Sequence, residues 1–197
     1  MAPPRRRRPV RLFLAINFEA AARLAVHAAT APLRDAAPEL SWVPADRLHL
    51  TLKFLGDQSD ETWHAVGTAM DRVARAHIAF PSALGEFGAF PNFRRARVVW
   101  IGMDDDPRLE ILHHDVEVAA DALGLPLEGK PFRPHVTVAR VQRRPGIDAL
   151  RVLARGAKRA SRERFPTFIR SIDLMRSTLR PEGTRHALLH SSLLRER

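Results

Sequence analysis

The strongest constraint on how this chain folds is a repeat. Arg11 opens an apolar run, Arg11-Leu-Phe-Leu-Ala-Ile16, and 38 positions after Arg11 a second strand-like run begins at His49. Arg97 opens another apolar run, and a strand-like run begins at His135, again 38 positions on. A helix-periodic stretch lies inside each interval. The two later runs share one pattern, His49-Leu50-Thr51-Leu52 and His135-Val136-Thr137-Val138. Agreement in spacing, element order and motif together indicates duplicated structural units. Two such units can pack about an approximate twofold axis, with equivalent strands facing each other across a groove.

Periodicity places the remaining elements. Residues 18–31 carry small or apolar side chains at Ala20, Leu24, Ala28 and Ala31, a helical spacing, and Pro32 ends or kinks that helix. Leu48 to Leu55 reads as a strand broken by Gly56-Asp57. Residues 60–79 form a helix with Trp63, Val66, Met70 and Val73 on one stripe. Phe80 to Phe93 reads as an irregular strand and a loop. Val98 to Ile101 is a strand, 107–123 a helix, 135–141 a strand and 147–160 a weaker helix, with two final strands near 167–178 and 185–192. The first nine residues, Met1-Ala-Pro-Pro-Arg-Arg-Arg-Arg-Pro9, read as a flexible basic tail, and residues 10–197 as a single domain made of two lobes.

Composition narrows the class of partner. The 197 residues carry 32 Lys and Arg against 22 acids, a formal charge of +10, and three of the bases are lysines (Lys53, Lys130, Lys158). Such a surface favours polyanions, and the planar guanidinium fork suits phosphate. Cysteine is absent, which excludes disulfides, thiolate metal sites and a cysteine nucleophile. A reducing compartment fits that composition, and the cytoplasm is the expected location. No apolar run approaches the ~20 residues of a membrane helix.

Alternate residues of a strand share a face. His49 and Thr51 therefore point one way while Leu50, Leu52 and Phe54 point to the core. His135 and Thr137 share a face with Val136 and Val138 behind them. Polar pairs on apolar strands are costly to bury without a purpose. A metal centre does not suit them, because neither motif contains Asp or Glu and threonine is a poor ligand for zinc-type ions. A nucleophilic threonine leaves the second copy unexplained. General acid–base catalysis uses all four: one histidine as base, its charged partner as acid, and two hydroxyls donating to the oxygens of an anionic phosphorus centre. A phosphodiester is the substrate this quartet suits, with no metal and no cofactor. The residues themselves do not say which histidine plays which part.

The sequence resembles the two-histidine (2H) phosphoesterases, and among them the RNA 2′,3′-cyclic phosphodiesterases, also called LigT-like or 2′-5′ RNA ligase-like. The resemblance runs through Arg11-Leu-Phe-Leu-Ala-Ile16, His49-Leu-Thr-Leu-Lys-Phe-Leu-Gly56, Arg97-Val-Val-Trp-Ile-Gly102, Pro131-Phe-Arg-Pro-His-Val-Thr-Val-Ala-Arg140 and Leu174-Met-Arg-Ser-Thr-Leu179. It implies an α+β fold of two pseudo-twofold-related lobes, each an antiparallel sheet with helices, around a central cleft. It further implies His49 as proton donor to a leaving 3′ oxygen, His135 as the acceptor that activates water, and Thr51 and Thr137 as the phosphate-binding pair. The implied partner is RNA with 2′,3′-cyclic phosphate ends, tRNA fragments among them. The product is a 2′-phosphomonoester, with a minor reverse 2′-5′ ligation. A self-contained two-lobed enzyme needs no second subunit, so a monomer is expected. Two other readings fit the same motifs: a 2′-5′ oligonucleotide or small cyclic-nucleotide phosphodiesterase, and a non-catalytic module that binds RNA ends.

Further candidates surround the quartet. Arg133 and Arg140 are expected phosphate or RNA contacts, although strict alternation puts Arg140 opposite His135 unless a bulge intervenes. Lys53 shares the face of His49 by the same parity. Phe13 and Phe132 offer flat surfaces for a base, with the core the competing fate of Phe13. The family often carries a tyrosine on its last strand. This chain has none, and His186 stands in that region. His186 and His190 are expected to face solvent, His113 and His114 to point apart, and His27, His64 and His77 to lie on helices without partners.

Overall fold

The computed structural model describes residues 10–142, 146–180 and 183–196, so the expected basic tail, residues 1–9, lies outside the described residues. Strand β1 (Val10–Asn17) leads into helices α1 (Ala20–Ala29) and α2 (Ala31–Ala36). A short strand β2 (Ser41–Trp42) and a 3₁₀ turn at Ala45–Arg47 precede β3 (His49–Gln58). Helix α3 (Asp60–Ala76), β4 (Phe80–Phe90), β5 (Val98–Met103), α4 (Pro107–Asp121) and β6 (His135–Arg140) follow. Helix α5 (Ile147–Ala160) and strands β7 (Phe165–Ile169), β8 (Ser171–Arg180) and β9 (Gly183–Leu193) come last. No helix among the described residues is long and apolar enough to cross a membrane.

Local chemistry explains most element ends. Ser59 caps α3 by accepting from the Thr62 N–H, with Asp60 and Glu61 in the positive first turn. Asp106 caps α4 with Pro107 just inside, where its missing N–H costs nothing. Pro32 neither ends nor kinks one helix: α1 stops at Ala29 and α2 restarts at Ala31, with the proline in the first turn of α2. Phe80–Phe90 is a strand paired on both edges, to β5 and to β7, and the expected irregularity is a register shift between Leu84 and Phe87. The expected strand near 167–178 is two strands. β7 ends at Ile169 in one half and β8 begins at Ser171 in the other, so the chain crosses between halves at Arg170.

The strands form one sheet in the order β7-β4-β5-β6-β3-β1-β8-β9, with β2 also on β6, and every strand pairing among the described residues is antiparallel. The order reads as β3-β1-β8-β9 and its counterpart β6-β5-β4-β7 joined back to back, the α+β pseudo-twofold arrangement expected. The join is a single registered pair, Leu50 opposite Val136, the middle residues of the two His-x-Thr motifs. Helices α3 and α4 cover the first half and α1 and α5 the second. Between helices and sheet lies the main core, with Leu12, Leu14, Ile16, Leu50, Val99, Ile101 and Val136 all nearly inaccessible. The opposite face of the sheet is the cleft.

A matched pair of β-bulges breaks strict alternation. Leu14 pairs with Lys53 but Ala15 pairs with Thr51, so Leu52 is an extra residue in β3. Val99 pairs with Ala139 but Trp100 pairs with Thr137, so Val138 is the extra residue in β6. Leu52 and Val138 both stand three residues after their histidine. The first six residues of the two strands then show the same burial sequence: half-buried, buried, half-buried, buried, buried, exposed. A bulge shifts every later side chain to the other face. Lys53 is therefore in the core rather than beside His49, and Phe54, expected in the core, is 65% exposed on the cleft side. Arg140 receives the bulge it needs to turn toward the cleft.

Gly88 of β4 lies opposite Trp100, and a β-carbon there would collide with the indole. Gly88→Ala is expected to unseat Trp100 and cost about 1–3 kcal/mol of stability by overpacking, read as a lower urea midpoint with unchanged slope.

Candidate active site

The cleft floor is built where β3 meets β6. With Leu50 across from Val136, antiparallel register sets His49 beside Thr137 and Thr51 beside His135. Side chains in such cross-strand positions start ~5 Å apart at their β-carbons. The backbone thus brings together the four residues singled out from sequence. All four side chains are half-buried, and among the described residues neither threonine hydroxyl has a protein partner.

The two imidazoles are held alike. His49 Nδ1 lies 2.8 Å from the Arg47 carbonyl oxygen, and His135 Nδ1 lies 2.7 Å from the Arg133 carbonyl oxygen. A carbonyl only accepts, so Nδ1 carries the proton and donates in both rings. Nε2 is left as the exchangeable position: a lone pair when the ring is neutral, a donor when it is charged. Each ring is also wedged between two others. His49 packs at 5.1 Å from Phe13 and 5.2 Å from His186, while His135 packs edge-on at 5.0 Å from Phe90 and 6.2 Å from Trp100.

The surroundings of the two histidines differ. Beside His49 is a cavity of about 420 Å³ lined by Asn17, Asp46, Arg47, His49, Met175, Arg185 and His186. On the His135 side the indole of Trp100 lies over Gly88 and the Phe90 ring packs 5.2 Å from it. Under the cavity a buried carboxylate orders the floor: Asp173 accepts from Asn17 Nδ2 at 2.7 Å and from Ser191 Oγ at 2.6 Å. Asn17 is the register partner of His49.

Electrostatics follow from this crowding. Burial lowers the His49 pKa and the positive charge of Arg140 lowers it further, against the opposing hydrogen bond to the Arg47 carbonyl. His186 is lowered to about 4, chiefly by burial and then by the charges of His49, Arg47 and Arg140. It is neutral at neutral pH, and its Nδ1 is buried without a partner. An anion in the cleft opposes the Arg140 effect by favouring a charged His49.

The other expected residues are distributed as follows. Arg140 is exposed and close enough to His49 and His186 to act on both electrostatically. Arg133 is exposed, and its carbonyl is the partner of His135. Phe13 is 2% exposed, yet it belongs to a small cleft-side cluster with Ala15 and Met175 rather than to the main core. Lys53 is not a phosphate contact: it is 1% exposed and ion-paired to Glu117. Phe132 is not a free base platform, because one ring face stacks on His113 at 3.8 Å and the side chain packs on the main core.

Several histidines found partners that the sequence did not disclose. His186 lines the cavity instead of facing solvent, His190 Nε2 bonds Asp71 at 2.8 Å, and His77 Nε2 bonds Asp115 at 2.9 Å. These pairings span 119 and 38 positions respectively, so no local pattern announces them. Arg47, Asn17 and Asp46 were likewise missed. The signal that could have found His186 is its place in the family's C-terminal aromatic region.

Comparison with known proteins agrees with this geometry. A model of the 2′-5′ RNA ligase superfamily matches residues 19–178. An Escherichia coli (strain K12) protein named RNA 2′,3′-cyclic phosphodiesterase is 35% identical over 136 residues, covering 67% of this chain and 72% of that one. A Geobacillus stearothermophilus protein of the same name is 32% identical over 128 residues, 65% of this chain, and the match spans 41% of its length. The crystal structure of E. coli LigT complexed with 3′-AMP superposes with a TM-score of 0.70 at 28% identity, covering 94% of this chain and 98% of that one. With a family model over most of its length and relatives of one name, the chain is an enzyme of the RNA 2′,3′-cyclic phosphodiesterase family, within the 2′-5′ RNA ligase superfamily.

Proposed function

We propose that this enzyme opens 2′,3′-cyclic phosphate ends of RNA to 2′-phosphomonoesters by metal-independent acid–base catalysis between His135 and His49. The observation that carries the reading is the matched commitment of both Nδ1 protons to backbone carbonyls, which leaves two Nε2 atoms for proton transfer over one floor. Neutral His135 takes a proton from water at Nε2 as the oxygen attacks phosphorus. The P–O3′ bond breaks, and charged His49 gives its Nε2 proton to the departing 3′ oxygen. The product carries a 2′-phosphate and a 3′-hydroxyl. Thr51 and Thr137 donate to the non-bridging oxygens, where negative charge grows in the transition state.

The unequal sides of the cleft support this direction. The departing O3′ belongs to a nucleoside, which stays on phosphorus through O2′, and the nucleophile is a water. The cavity of about 420 Å³ adjoins His49, in the size range of small-ligand sites. The His135 side is flanked by the Trp100 and Phe90 rings, and the reactant assigned to it, water, is the smaller one. A 3′-AMP complex of E. coli LigT supports a nucleoside phosphate as the ligand class. Reverse 2′-5′ joining is minor in this scheme, since water outcompetes a second RNA end that is not held in place. The reading includes a monomer acting in the cytoplasm, with tRNA fragments among its substrates.

A 2′,3′-cyclic-ended oligonucleotide, incubated with enzyme and chelator, tests the reaction, with 2′ and 3′ phosphates resolved in the product. Hydrolysis to the 2′-phosphate is expected to persist in chelator and to fall ~10²-fold or more in His49→Ala and in His135→Ala. Loss of activity in chelator, or full activity in either variant, overturns the mechanism. Turnover confined to 2′-5′-linked dinucleotides assigns the site to that substrate instead. Thr51→Val and Thr137→Val should each slow turnover about 10- to 10²-fold, the worth of one hydrogen bond to a charged group.

The pH profile follows from the lowered His49. As the acid it must be charged, so the fraction of His49 able to donate falls as pH rises through its free-enzyme pKa. In the free enzyme the His49 ring is expected to titrate below the ordinary histidine range, and higher with inorganic phosphate bound because the anion favours the charged ring, and an NMR titration reads both. Arg140→Gln removes a cation that disfavours charged His49, so the NMR titration of the His49 ring in the free enzyme should move to higher pH. No movement sinks this coupling of Arg140 to His49.

A further inference from the structure

Residues 122–134 join α4 to His135 with no helix or strand of their own. They are anchored to one buried ion pair. Lys53 Nζ donates to both oxygens of Glu117 at 2.9 Å and to the Pro126 carbonyl at 2.8 Å. Glu117 Oε2 accepts in turn from the Glu128 N–H at 2.9 Å, and Glu128 Oε1 accepts from the Phe54 N–H at 3.3 Å. Further along, Phe132 stacks on His113 at 10° between ring planes, and His113 Nε2 lies 3.9 Å from Glu117 Oε1. The next residue, Arg133, presents the carbonyl that holds His135.

Burying a lysine and a glutamate is costly, and an apolar pair of similar volume often stabilises as well. An apolar pair would not hold the Pro126 carbonyl or the Glu128 N–H. The two halves of the site also differ in their need for such a hold. The carbonyl that orients His49 belongs to Arg47, inside the 3₁₀ turn Ala45–Arg47, where the Arg47 N–H bonds the Pro44 carbonyl. The carbonyl that orients His135 lies between Pro131 and Pro134, neither of which can donate a backbone hydrogen bond.

We propose that Lys53 and Glu117 are positioning residues for the acid–base pair: through Pro126, Glu128 and Phe132 they set the path of residues 122–134, and so the Arg133 carbonyl that keeps the His135 proton on Nδ1. With that carbonyl displaced, the proton divides between Nδ1 and Nε2, and the fraction of rings with a free Nε2 lone pair falls. Lys53 stands at the position after the β3 bulge, where β6 has Ala139, so this tie exists in one half and acts on the other. The kinetic part of the inference rests on the proposed role of His135, and the tautomer part does not.

The test is the variant Lys53→Met/Glu117→Leu, which leaves no orphaned charge, read by imidazole ¹⁵N NMR and by steady-state kinetics on the cyclic-ended oligonucleotide. His135 is expected to change from an Nδ1–H ring to a tautomer mixture while His49 stays Nδ1–H. In parallel kcat should fall about 10- to 10²-fold, the cost of a small misplacement, with KM little changed. An unaltered His135 signal with unaltered kcat overturns the proposal, as does an equal change at both histidines. If the double variant does not fold, Glu117→Gln carries the same readout: either the His135 tautomer and kcat degrade together, or the proposal fails. Should wild-type enzyme not cleave the oligonucleotide, the proposed function falls and the NMR comparison still decides this inference.

Discussion

The site depends on one backbone pairing, Leu50 against Val136, at the seam between the two halves of the sheet. Antiparallel strands alternate their side chains, so pairing the middle residues of two His-x-Thr motifs puts all four polar side chains on the face away from the core. The apolar partners, 1% exposed each, anchor the seam from behind. A slip of one residue would send both histidines into the core and both apolar residues into the cleft. The register is therefore specified by burial, and the position of the quartet is a by-product of packing.

Symmetry supplies the quartet and asymmetry distinguishes its two histidines. The bulges at Leu52 and Val138, the Nδ1 bonds to the second carbonyl upstream and the two-ring wedges are repeated in both halves. What differs is the space around them. Trp100 lies over a glycine and flanks one histidine, while the other has a polar cavity above the Asp173 carboxylate. A symmetric pair of imidazoles between unlike spaces is suited to a reaction whose two exchanged groups differ in size.

Charge has a cost here as well as a use. Arg140, Arg47 and Arg185 make the cleft attractive to a phosphodiester, yet Arg140 also disfavours the charged form of His49. A bound anion offsets that effect. His186, held near pKa 4 chiefly by burial and then by the charges of His49, Arg47 and Arg140, adds no charge of its own at neutral pH. Its ring completes the wall beside Phe13 as a neutral aromatic surface.

That His49, Thr51, His135 and Thr137 come together was legible in the sequence, because duplication writes the same spacing and the same triplet twice, and alternation then assigns faces without any long-range information. The reach of that argument ends at the first bulge. Past Leu52 and Val138 parity reverses, which moved Lys53 into the core, Phe54 out of it and Arg140 toward the cleft. Partners separated by tens of residues were equally hidden: Glu117 for Lys53, Asp71 for His190, His113 for Phe132 and the cavity for His186. Strand, helix and motif came from local periodicity, since backbone hydrogen bonding and hydrophobic patterning act over a few residues. Bulge positions, buried ion pairs and the shape of the cavity were decided by tertiary structure alone, because each depends on what another segment presses against it.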